Sequence, residues 1–192
     1  MAQCSRPCLR GVGRRGVLAT GLVVAPALLR PAFADDPAAL PPQPGDRFAH
    51  LTGPRKGQVV ADGDLPLGGP QVQAYPIDIK SGLVRDQSRL NLVILARFDP
   101  ATLSAETRAR AADGVVAYSG VCTHQGCAVN MWVTSKSALY CSCHGSTYDP
   151  RDGAAVIAGP APRSLPSLAL ATADEAPFVT GGFSGHVGPT QQ

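Results

Sequence analysis

The chain of 192 residues contains no uninterrupted apolar run of 18, the usual minimum for a membrane-spanning helix. Aromatic residues are few, at 5% with a single Trp, and no long stretch shows 3.6-residue apolar periodicity, which argues against a helical bundle. A glycine-rich phosphate loop and a supported Ser/His/Asp arrangement are both missing, so nucleotide-dependent chemistry and triad hydrolysis are set aside. Acidic residues are absent from residues 1–34, which hold five Arg (Arg6, Arg10, Arg14, Arg15 and Arg30). The formal charge of +3 comes from 17 basic and 14 acidic residues; outside that segment 12 basic residues face all 14 acids, a net −2. The positive charge therefore marks a processing segment, and no nucleic-acid partner is expected.

What is present divides near residue 34. Residues 13–34 carry a basic start, an apolar stretch at 16–29 closed by Arg30, and small residues at Ala32 and Ala34. That is the layout of a secretory signal cleaved after Ala34. The pair Arg14-Arg15 resembles a twin-arginine signal, which hands folded proteins to the twin-arginine export machinery. Gly13 and Val17 stand where that motif usually has a hydroxyl residue and Phe. An ordinary secretory signal and a retained membrane anchor are the other two readings of these residues. Residues 35–45 are Pro-rich (Pro37, Pro41, Pro42, Pro44) and are expected to form an extended linker with little structure. Residues 46–192 are left as one domain of ordinary size.

Within that domain short Val-, Ile- and Leu-rich runs alternate with Gly, Pro, Asp and Asn. They predict strands over residues 58–61, 71–79, 90–98, 114–121, 128–133, 137–140, 154–158, 168–171 and 178–183. One short helix is predicted over 103–112, after Asp99-Pro100 and before Asp113-Gly114. This pattern is all-β: an antiparallel sandwich or small barrel of short strands with one short helix. His50 and His186 have no partner at ligand spacing and read as surface or turn residues. Trp132 and Met131 read as packing residues, and Arg108 and Arg110 as the solvated face of the helix.

The chemistry lies in two segments. Cys4 and Cys8 belong to the leader, but Cys122, Cys127, Cys141 and Cys143 fall within 22 residues, beside two His. The first segment is Cys122-Thr-His124-Gln-Gly-Cys127; the second is Cys141-Ser-Cys143-His144-Gly-Ser146-Thr-Tyr148. Sixteen residues separate His124 from Cys141. Two Cys and two His can fill four coordination positions, leaving two Cys to join each other. Tetrahedral zinc on Cys122, His124, Cys141 and His144, or a pair of structural disulfides, are other uses of the same residue types.

These segments, followed by Gly159-Pro160-Ala161-Pro162, resemble a Rieske iron–sulfur protein of the disulfide-containing, high-potential type. The likeness is close over residues 114–170. It implies a Rieske-like antiparallel sandwich with a small cluster-binding subdomain, its loops at about 120–166, and a [2Fe–2S] cofactor. By that resemblance Cys122 and Cys141 hold one iron as thiolates, and His124 and His144 hold the other. Two neutral imidazoles in place of two thiolates lower the cluster's negative charge and raise its potential. The resemblance also pairs Cys127 with Cys143, a bridge closing about 17 residues and worth roughly 3 kcal/mol in chain entropy. Gly159 and Pro160 correspond to the loop that covers the cluster. Ser146 and Tyr148 occupy positions that donate hydrogen bonds to a sulfide and to a ligand thiolate, which implies a potential of roughly +150 to +300 mV.

No residue reads as catalytic, so the expected role is an electron-transfer subunit. Iron–sulfur clusters are assembled before export and disulfides persist outside the cytoplasm, so cluster, disulfide and leader agree on a periplasmic protein. Its partners would be a donor redox enzyme, such as a molybdenum enzyme or cytochrome b, and a cytochrome c-like acceptor. The alternative is a membrane-anchored Rieske subunit of a quinol–cytochrome c reductase, if the leader is retained. Gln125, beside His124, is polar where a tip docking into a quinol site would be apolar.

Overall fold

The computed structural model describes residues 36–190. The leader, including Arg14, Arg15 and the cleavage position, lies outside the described residues.

Among the described residues, eleven strands and one short α-helix follow in order: β1 (Arg47–His50), β2 (Val72–Asp78), β3 (Leu83–Val84), β4 (Val93–Arg97), α1 (Ala105–Arg110), β5 (Val115–Ser119), β6 (Met131–Val133), β7 (Ala138–Tyr140), β8 (Thr147–Asp149), β9 (Ala155–Ala158), β10 (Ser167–Ala173) and β11 (Ala176–Gly181). Two antiparallel sheets form. The larger has the order β1-β2-β4-β5-β10-β11, with β3 on β2; the smaller has the order β6-β7-β8-β9. The larger sheet curls almost shut. Gly45 N–H donates to Val179 O (2.8 Å) and Val179 N–H to Asp46 O (2.9 Å), which joins β11 to the lead-in of β1.

The central strands show why one sheet can serve two cores. Successive side chains of a strand point to opposite faces. In β4, Val93 and Leu95 face the inside of the curl with Val115 and Ala117 of β5. Ile94 and Ala96 face the other way, with Val116 and Tyr118, against Leu139, Tyr148 and Val129 of the smaller sheet and its loops. A strand buried on both faces must be apolar at every position, which explains the unbroken Val-Ile-Leu-Ala of β4. This second core seats the cluster loops.

Helix α1 is only six residues long, too short to be stable by itself. Ser104 caps it by accepting from Thr107 N–H, and packing supplies the rest. Arg110 is not solvated as expected: its Nε donates to Ser167 Oγ (2.8 Å) and its Nη2 to Ser167 O (2.9 Å), tying the helix to β10. Arg108 turns back onto Leu103 O.

Three expectations change. Residues 58–61 form no strand; Val59 makes a single bridge to Ala49. The short strands β1, β3 and β8 were not anticipated. The described part of the Pro-rich segment, residues 36–45, is turn-rich and pinned rather than structureless. Arg85 Nη1 donates to Pro37 O, and Asn91 Nδ2 to Leu40 O (2.7 Å). Arg85 also grips Asp46 through two bonds of 2.6 and 3.2 Å, both side chains being buried. These polar groups are 39 residues apart in the chain, so no local pattern announces the lock.

Candidate metal centre

Three loops converge on one end of the smaller sheet. The first joins β5 to β6 and carries Cys122, Thr123, His124 and Cys127. The second joins β7 to β8 and carries Cys141, Cys143, His144 and Ser146. The third joins β9 to β10 and carries Gly159 to Pro166. The first two repeat one backbone pattern. Cys122 N–H donates to Cys127 O (2.8 Å) while Gly126 N–H returns to Cys122 O (2.9 Å). Cys141 N–H donates to Ser146 O (2.9 Å) while Gly145 N–H returns to Cys141 O (3.0 Å). Each loop is thus a closed turn that presents one Cys inward. Such a tight return needs φ > 0 at its Gly, +73° at Gly126 and +78° at Gly145.

Cys127 and Cys143 form a disulfide across the two loops, with Cα atoms 6.5 Å apart. Cys122 and Cys141 are free and buried, which removes the reading of two structural disulfides. The rings of His124 and His144 lie edge to face with centroids 4.7 Å apart. His144 is exposed and His124 half-buried, so the thiols lie inside and the imidazoles toward the surface. The two loops that carry the four nominated ligands are thus joined by the disulfide and by the His124–His144 ring contact.

His124 Nδ1 is buried and has no hydrogen-bond partner. A buried imidazole nitrogen without a partner costs free energy unless something binds it. Beside two buried thiols and a second imidazole, an iron ion fits that requirement. Cys127 and Cys143 sulfurs also lie within 4.8 Å of Cys141, but their disulfide removes them as thiolate ligands.

The thiols are tuned by their neighbours. Burial pushes the Cys122 thiol up. Hydrogen bonds from Tyr148, the His124 amide, Cys141 and Ser146 outweigh that effect and bring it below its ordinary value. At Cys141, burial and the neighbouring Cys122 prevail over the amides of Cys143 and His144, and the thiol sits above its ordinary value. Tyr148 Oη lies 3.1 Å from Cys122 Sγ. Burial, then Cys122 itself, push the phenol far above its usual range, so it remains a proton donor. Ser146 is fully buried and its Oγ accepts from Ala161 N–H (3.1 Å), which joins the second and third loops.

Sequence reading did not single out Thr123. It is fully buried, and its hydroxyl donates to Arg163 O (2.6 Å), joining the first loop to the third. With its proton on Arg163 O, Thr123 can only accept from Tyr148, at 3.5 Å; Cys122 Sγ, at 3.1 Å, is the nearer acceptor for the phenol proton. Arg89 was also missed: its Nη2 donates to Gly126 O from outside the first loop. Residues 183–190 run past the same loop. Arg163 Nη2 donates to Gly188 O, and Pro189 lies against Gly126. Of the remaining His, His50 is bonded to Asp64 (3.1 Å) and His186 to Pro189 O (3.2 Å); neither approaches the centre as a partner. Trp132 packs on Phe98 while Met131 is exposed.

A sequence model of the Rieske [2Fe-2S] domain matches residues 59–169. The chain belongs to this family. Its cofactor is accordingly a [2Fe–2S] cluster, and zinc is set aside. A proposed respiratory nitrate reductase Rieske subunit of Haloferax mediterranei is 47% identical over 77 residues, 40% of this chain and 34% of that protein. The cytochrome bc1 complex Rieske iron–sulfur subunit of Streptomyces lividans is 44% identical over 78 residues, 40% of this chain and 46% of that one. The chain thus aligns with a third to a half of the length of these relatives. The soluble domain of a Rieske protein from Sulfolobus acidocaldarius is 24% identical, with a TM-score of 0.38 over 50% of this chain and 66% of that one. Among the described residues no helix is long and apolar enough to cross a membrane.

Proposed function

We propose that this Rieske domain is an exported one-electron carrier, passing electrons from a donor redox enzyme to a cytochrome c-like acceptor outside the cytoplasm. Cys122 and Cys141 would hold one iron as thiolates, and His124 and His144 the other. The observation that carries the reading is the arrangement of these ligands: thiols buried, imidazoles outward, with exposed Gln125, Ser142 and His144 making the tip polar. When bound, the cluster supplies a one-electron couple. The chain keeps water from the thiolate side and leaves only the imidazole edges near a partner, which gives a short route for an electron. Tyr148 and Ser146 hold protons toward the Cys122 side, where extra negative charge in the reduced state is stabilised. A polar tip suits brief, wet encounters between redox proteins.

The second reading is a membrane-anchored subunit of a quinol–cytochrome c reductase, favoured by the name of the Streptomyces relative. One experiment separates the two: fractionate expressing cells and sequence the N-terminus of the protein that carries the Rieske visible and EPR spectrum. A soluble product beginning at Asp35 is expected. An intact N-terminus in the membrane fraction, with reduction by quinol, would favour the anchored subunit instead.

A further inference from the structure

We propose that Arg89 makes the electron-exit tip of this domain a docking surface for a redox partner with an acidic face. The proposal rests on the electron-transfer reading and specifies the partner's chemistry. Arg89 begins a short turn, Arg89–Asn91, capped by Ser88, and its side chain is exposed. Its guanidinium lies against the first cluster loop: Nη2 donates to Gly126 O, and a β-carbon placed on Gly126 would lie 2.7 Å from Nη2. Gly126 sits between exposed Gln125 and half-buried Cys127, and the disulfide carries the loop across to exposed His144. The cation is therefore held on the loop that carries His124, two residues from that imidazole.

Among the described residues no carboxylate pairs with Arg89, although Asp86 lies near enough that both charges act on Tyr75. Residues 114–148, which build both cluster loops, contain no Asp or Glu, and their one charged side chain is Lys136. The next acids are Asp149, which ends β8, and Asp152 on the turn after it; Asp149 is bonded to Arg151, whose carbonyl accepts from Ser104 N–H just before α1. Asp86, three residues before Arg89, bonds Gln87 rather than either cluster loop. A second guanidinium, Arg163, is bonded to Gly188 O, next to the Pro189 that lies against Gly126. Residues 35–192 as a whole carry −2, so the positive charge is a feature of the tip and not of the body. A positive end on a mildly negative body orients an approaching partner and gives specificity through charge.

The test uses the reduced holoprotein and two one-electron oxidants of opposite charge, followed by stopped-flow absorbance. One electron leaves each protein; each ferricyanide becomes ferrocyanide, or each tris(phenanthroline)cobalt(III) becomes cobalt(II). At about 0.01 M ionic strength, Arg89→Glu should slow the anionic oxidant and speed the cationic one, each by about tenfold. Arg89→Gln should lie between, and Arg89→Lys should behave as the parent. A second readout is binding: redox-inert hexacyanocobaltate(III) should shift an arginine Nε–H resonance of the oxidised parent protein, and not of Arg89→Gln. If Arg89→Glu loses its cluster, the Lys and Gln variants decide. Equal effects on both oxidants, or none, would overturn the proposal while leaving the electron-transfer reading intact. Failure of the parent protein to reduce either oxidant would instead overturn that reading.

Discussion

Tyr148 Oη lies 3.1 Å from Cys122 Sγ, and both groups are buried. Thr123 Oγ1, which gives its own proton to Arg163 O, is a second acceptor for the phenol proton but lies farther away, at 3.5 Å. A donor to a ligand sulfur stabilises the state with more negative charge, here the reduced one. Tyr148→Phe keeps the ring in its packing and removes the bond to Cys122 together with the longer contact to Thr123. If the bond is worth about 1.4 kcal/mol more in the reduced state, the potential falls by about 60 mV. Redox titration of the two holoproteins measures it; an unchanged potential would mean that the phenol does not serve the thiolate.

Gly159 packs directly on the second cluster loop. A β-carbon there would lie 2.5 Å from Ser146 Cα and 2.7 Å from Gly145 O, and its φ is +87°. Backbone cannot yield as a flexible side-chain end can, so Gly159→Ala must lift the third loop. The positive φ adds strain of about 1–3 kcal/mol. The variant should bind less iron per protein and lose its visible absorption faster on dilution with chelator. Parent-like iron content and retention would show that the covering loop is dispensable.

The centre was legible because its information is local. Cys122-Thr-His124 and Cys141-Ser-Cys143-His144 place ligand chemistry at loop spacing, and the loops close with their own amides. The apolar run of β4 was legible because burial on both faces forbids polar residues. Other features had no local signature. Strand β1, Arg-Phe-Ala-His, buries two adjacent residues instead of alternating ones. Residues 58–61 have strand-forming side chains but pair at one position only. Arg89 reaches Gly126 over 37 residues, and Arg85 reaches Asp46 over 39. Such partners are brought together by topology, which composition does not reveal.

The Arg85–Asp46 pair holds the lead-in segment to the domain. Arg85 and Asp46 side chains are 8% and 4% exposed, so neither charge can turn to water if its partner is lost. Arg85→Met leaves a buried carboxylate without its partner and frees Pro37 O. The expected cost is about 3–5 kcal/mol, and replacing both partners by apolar residues should recover much of it. Urea unfolding measures the stability. Limited proteolysis should also begin to cut within residues 36–45 in the single variant but not in the parent.

His50 gives the domain a pH dependence independent of the cluster. Its Nε2 lies 3.1 Å from Asp64 Oδ2, whose carboxylate is also bonded by Arg55. Burial, then the Arg55 charge, hold the imidazole below its ordinary value. Protonation therefore occurs at lower pH in the folded protein than in the unfolded chain. Between those two values the unfolded state binds more protons, so stability rises with pH. This contribution is complete above the unfolded value of about 6.5 and is lost as pH falls from there toward the folded value. Unfolding free energies measured from about pH 7.5 down to 5 should decline less steeply in His50→Gln than in the parent, by less than about 1.4 kcal/mol per pH unit. An identical slope in both proteins would assign the acid sensitivity to other groups.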